Sequence, residues 1–147
     1  MINGPVPRWV AIAALLLLFA GGCASSSKPA FASDREPRVI AIRNASGRQA
    51  QAITVQSDTD AADGSRRMGS ISPAAPNYTY AFVRPPDAPR LPSRVRVIYS
   101  FAGGQPKSTT VDLSALGDKA TGDRDEAVVF EVRAGGEVVA YLDRVHP

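Results

Sequence analysis

Beyond its first 37 residues the chain predicts one all-β domain, an antiparallel β-sandwich of immunoglobulin-like type with about seven or eight short strands over residues 38–147. Three observations carry this. Apolar residues recur at every second position in short runs. Between the runs stand turn formers, drawn from 12 glycines and 12 prolines. No run shows the 3.6-residue period of an amphipathic helix.

In chain order, residues 38–43 (RVIAIR) are β-branched and apolar, 44–47 (NASG) are turn formers, and 48–56 (RQAQAITVQ) resume the alternation. Together they predict a hairpin. Residues 58–67 form a polar loop, 68–72 a short strand and 73–77 a second turn. The run 78–83 (YTYAFV) sets Tyr78, Tyr80 and Phe82 on one face, because successive strand side chains point to opposite sides. Residues 84–92 (RPPDAPRLP) form a connecting loop, since each proline lacks the donor a sheet ladder needs. In 93–101 (SRVRVIYSF), Val95, Val97, Tyr99 and Phe101 share a face against Arg94 and Arg96. Gly103-Gly104 turns the chain into strand 107–113. A polar excursion over 114–126 includes one helical turn near Leu113 to Leu116. Strands 127–133 and 137–142 flank Gly135-Gly136, a dipeptide that suits a tight hairpin by tolerating positive φ. The immunoglobulin-like assignment rests on strand count and turn spacing, because the antibody-type disulfide and core tryptophan are missing.

The first residues have a different logic. Arg8 is the only charge before residue 23, and residues 9–20 (WVAIAALLLLFA) are an unbroken apolar run. That run falls short of the roughly 20 residues a membrane-spanning helix needs and matches the roughly 7–15 of a secretory leader. Ala20, Gly21 and Gly22 then lead into Cys23. This AGGC closure resembles the lipobox of bacterial lipoproteins. By that resemblance residues 1–22 are a cleaved signal peptide and Cys23 is the lipid attachment site, carrying diacylglycerol on its thiol and an N-acyl chain on its new amine. Ala20 stands where the family usually has a larger aliphatic residue. Ala24, rather than Asp, follows the cysteine, which in Gram-negative members favours the outer membrane facing the periplasm.

Cys23 is the only cysteine, so the chain can form no internal disulfide. Each buried methylene of an acyl chain contributes about 0.8 kcal/mol, and one chain alone binds membranes only marginally. Two or three chains on Cys23 therefore imply durable anchoring. Residues 23–37 (CASSSKPAFASDREP) lack either period and are rich in serine and proline, which predicts the lipidated cysteine followed by a flexible tether.

Without residues 1–22, 16 basic groups face 14 acidic ones, scattered among each other. No basic stripe with interleaved aromatics exists, so no nucleic-acid partner is expected. Arg66 and Arg67 are the only adjacent basic pair and read as a solvated loop. An enzyme is not expected either. His146 is the sole histidine and lies next to the C-terminal residue. Asp123 and Asp125, the nearest thing to a carboxylate pair, flank Arg124 in a loop.

Asp58, Asp60 and Asp63 with Gly64 approach a calcium loop, but the third acid and the glycine come one residue late and Gly69 stands where a bidentate glutamate belongs. A plain acidic loop is the expectation, with no metal and no cofactor beyond the acyl groups. The stripe Tyr78, Tyr80, Phe82 reads first as core and alternatively as a stacking platform for sugars. Pro86, Pro89 and Pro92, between and beyond Arg84 and Arg90, read as a stiff loop rather than a displayed polyproline ligand. Asn44 and Asn77 begin N-x-S/T triplets and are expected as turn asparagines.

The expected function is a membrane-anchored envelope lipoprotein that presents its sandwich as a structural or protein-interaction module, with another envelope protein as partner. The alternative is a glycan or cell-wall binding module using exposed aromatics. Oligomeric state is left open by the sequence.

Overall fold

A computed structural model describes residues 28–58 and 66–145. Eight strands and one helical turn follow in order: β1 (Val39–Ala45), β2 (Ala50–Ser57), β3 (Arg67–Ile71), β4 (Tyr78–Val83), β5 (Arg94–Phe101), β6 (Lys107–Asp112), α1 (Ser114–Gly117), β7 (Glu126–Arg133) and β8 (Val138–Arg144). They make two four-stranded sheets, ordered β4-β1-β7-β8 and β3-β2-β5-β6, packed on a common core.

Alternation places most of this core. On β5, Val95, Val97 and Tyr99 are buried while Arg94 is exposed. Strand β7 departs from alternation, since all of Glu126 to Val132 is buried. Its inward side chains Val128, Phe130 and Val132 join the main core. Its outward Ala127 and Val129 form a second, small cluster with Ala41 of β1, flanked by Val39, Tyr141 and Val145. A strand central to its sheet and covered on both faces reads as a continuous apolar run, as AVVF does here.

The hairpin expected across residues 38–56 does not form. β1 and β2 belong to different sheets. The turn chemistry is real, with Gly47 at φ +74°, but it carries the chain from one sheet to the other. Asn44 fixes the crossing: its buried amide donates to the carbonyls of Arg48 (2.8 Å) and Ala74 (3.0 Å) and its oxygen accepts from the Ser46 hydroxyl (2.6 Å). β1 pairs instead with β4, antiparallel, and with β7, parallel, Ile40 lying opposite Val128. The sandwich is therefore mixed rather than wholly antiparallel. The true hairpins are β2–β3, β5–β6 and β7–β8. In the last, Gly136 sits at φ +78°, and a β-carbon there would lie 2.9 Å from the Tyr99 hydroxyl, which itself donates to the Gly136 carbonyl at 2.7 Å.

The spacer expected over residues 24–37 is also revised. From Lys28 on, the chain lies against the sandwich: Pro29 bridges Pro92, the Ala30 amide donates to the Leu91 carbonyl (2.9 Å), and the Lys28 carbonyl accepts from the Ser93 amide (2.8 Å). Phe31 is only 4% exposed and belongs to the main core. Gly117 makes this passage possible, because a β-carbon there would stand 2.0 Å from the Ala30 carbonyl oxygen.

Candidate functional site

The most elaborate polar construction among the described residues joins this N-terminal segment to the proline loop 84–92. Glu36 is its centre. Its Oε1 accepts from Arg84 Nη1 (2.7 Å) and from the Leu91 amide (2.7 Å), and its Oε2 from Arg90 Nε (3.0 Å). Arg84 also donates to the carbonyls of Pro37 and Pro89, and Arg90 to that of Phe31. The side chains of Glu36 and Arg84 are largely out of water, at 10% and 13% exposure. Charge-assisted bonds at such a site are short and strong, and losing one partner leaves an unpaired buried charge. A groove of about 390 Å³ lies along this seam, lined by Ser33, Glu36, Arg38, Val83, Arg84 and the prolines beyond it. Two of its three arginines are committed to Glu36 and to backbone carbonyls, so its polar chemistry holds the segment down. Pro86 and Pro89 are exposed, while Pro92 is buried beneath the N-terminal segment.

Cys23, Asp60, Asp63 and His146 lie outside the described residues. Asp58 is turned toward β5, where its Oδ1 accepts from Arg96 (2.6 Å) and its Oδ2 pairs with Arg94 (3.2 Å). A carboxylate bound on both oxygens by guanidinium groups is not presented to a cation. No group of three candidate metal ligands occurs among the described residues. Asp123 pairs with Arg144 at 3.1 Å, and the Asp125 carbonyl accepts from the Val145 amide. Both thus tie the end of β8 to the loop before β7. In the aromatic stripe, Tyr80 and Phe82 are half-buried against the core and only Tyr78 is exposed, its ring 4.8 Å from that of Tyr80. Asn77 is the turn asparagine expected, at φ 58°, whereas Asn44 is a buried strand residue.

Two buried carboxylates had no sequence signal. Glu126 gathers the Thr121 and Gly122 amides and the Thr121 hydroxyl at 3.0–3.2 Å, closing the loop ahead of β7. Glu131, on the outer face of β7, accepts from Arg133 Nε (2.8 Å) and the Tyr141 hydroxyl (2.9 Å), with Arg43 at 3.7 Å. The bond from Arg133 is the main reason its carboxyl titrates below the ordinary range. Burial opposes this, while Tyr141 and Arg43 add to it. Burial chiefly pushes the Tyr141 phenol up. A depressed folded-state pKa contributes stability above the unfolded value and loses it as pH falls through the folded one. Glu131→Gln is therefore expected to lower stability at pH 7 by about 1–2 kcal/mol. The gap between the two chains closes as pH drops below the ordinary carboxylate range. Urea titrations at pH 7 and pH 3 check this, and a gap equal at both would refute it.

Among the described residues no buried side-chain polar atom lacks a partner. No helix of the described residues is long and apolar enough to cross a membrane. No family model, curated protein or solved structure matches the chain.

Proposed function

We propose that this chain is a bacterial envelope lipoprotein, anchored through acyl groups on Cys23, which presents its sandwich as a structural or protein-interaction module. The observation that carries the proposal is the charge-poor apolar run ending in AGGC at Ala20 to Cys23. An immunoglobulin-like sandwich accords with eight short strands in two sheets of four. In a Gram-negative host, Ala24 favours the periplasmic face of the outer membrane.

The packed N-terminal segment changes how such an anchor works. About five Cα-to-Cα steps separate Cys23 from Lys28, a reach of at most about 18 Å. The sandwich is thus held close to the bilayer, with the end bearing Lys28, Pro92 and Ser93 toward the anchor. Confinement of this kind raises the effective concentration for partners on the same surface.

The test is metabolic labelling with a fatty acid. The parent chain is expected to take up label and fractionate with membranes, and Cys23→Ala to lose both. Equal labelling of the two, or of neither, would remove the anchor from the account.

A further inference from the structure

An open sheet leaves unpaired backbone groups along its two outermost strands, and such edges join other chains unless charge, proline or a bulge blunts them. The edges here are β4 and β8 of one sheet and β3 and β6 of the other. Three are blunted. β3 starts at Arg67 and its register with β2 shifts between Val55 and Gln56. β6 runs from Lys107 to Asp112, and β8 ends on Asp143 and Arg144. β4, with the sequence YTYAFV, has no charge, no proline and an unbroken register with β1. The exposed large apolar side chains among the described residues, Tyr78 (57%) and Val83 (76%), both belong to it.

The ladder shows which groups of β4 are open. The Arg84 amide donates to the Arg38 carbonyl at 2.8 Å, one step beyond the Val39–Val83 pair. Antiparallel strands bond at alternate pairs. Residues 80, 82 and 84 therefore bond inward to β1, while Thr79, Ala81 and Val83 turn their N–H and C=O groups to the open side.

We propose that β4 pairs antiparallel with β4 of a second copy of this chain, joining two four-stranded sheets into one. A two-fold axis at Ala81 sets Thr79 opposite Val83 and Tyr80 opposite Phe82, each pair on a matching face, with about six backbone hydrogen bonds available. The uncharged strand meets itself without repulsion, and it offers no countercharge to a charged segment of another protein. Self-pairing also gives the closed two-fold symmetry commonest among oligomers. This deepens the interaction-module reading and rests on it for the partner's place at the same membrane.

The experiment uses the full chain extracted in non-ionic detergent. Ala81→Cys brings two thiols together at a pair whose Cα separation, about 5.5 Å, suits a disulfide. Mild copper–phenanthroline oxidation is expected to convert most of it to dimer. Thr110→Cys, on the exposed β6 edge, should cross-link at least tenfold less, and the unsubstituted chain controls for Cys23. Light scattering should give a dimer for the parent and for Thr110→Lys, and a monomer for Ala81→Lys with its circular dichroism unchanged. If Ala81→Lys fails to fold, the cysteine comparison decides. A monomeric parent, equal cross-linking at 81 and 110, or capture of a different envelope protein by Cys at 81 would overturn self-pairing. Absence of fatty-acid label from a chain that still dimerises through β4 would remove the anchor and leave the pairing standing.

Discussion

Phe130→Ala is expected to destabilise the domain by about 3–5 kcal/mol, the range for deleting a buried aromatic ring. Phe130 is fully buried and heads the largest enclosed side chains. It stands at the middle of β7, between Ile42 of β1 and Ala140 of β8, where the sheet has no slack to collapse into the void. Because domains of this size are stable by only about 5–15 kcal/mol, the loss takes at least about a fifth of the total. Urea denaturation should show a lower midpoint at unchanged slope. Val129→Ala, in the small outer cluster, should cost clearly less, and equal costs would contradict the assignment of the main core.

Glu36→Ala should cost about 3–5 kcal/mol, the range for removing one partner of a buried ion pair. The Arg84 guanidinium would keep only carbonyl acceptors, and the Leu91 amide would lose its acceptor altogether. Hydrogen exchange separates this loss from general unfolding. The amides of Ala30 and Leu91 should exchange faster while those of β7 stay protected. Uniform acceleration would mean that the N-terminal segment is not a separable clasp. Under the anchoring proposed at Cys23, its release would also lengthen the reach between that cysteine and the sandwich.

Strand positions were legible in the sequence because a period of two needs only local residues, as in Val95, Val97 and Tyr99. Partners were not legible. Turn residues at Asn44 to Gly47 indicate that the chain reverses, yet they do not say whether the next strand returns beside β1 or crosses to the other sheet. The choice is made by Asn44 bonding the Ala74 carbonyl, 30 positions away. The parallel partner of β1 lies farther still, in β7. The N-terminal segment escaped for a similar reason. Its serines and prolines carry no period, and Phe31 is its one large apolar residue, packed into a core built by distant elements. The acids follow suit: Asp58 meets Arg96 across 38 positions, and Glu36 meets Arg90 across 54. Such pairs become visible only once the topology is known. The aromatic stripe lies between these cases, since its shared face was readable but Tyr78 standing clear of the core was not.

The anchoring proposed at Cys23 can be read from the intact mass of the chain extracted from bacterial membranes. The expected mass is that of residues 23–147 carrying a diacylglyceryl group, with a further fatty acid where the new amine is acylated. A mass equal to the whole 147-residue chain, or to an unmodified chain cut elsewhere, would contradict it.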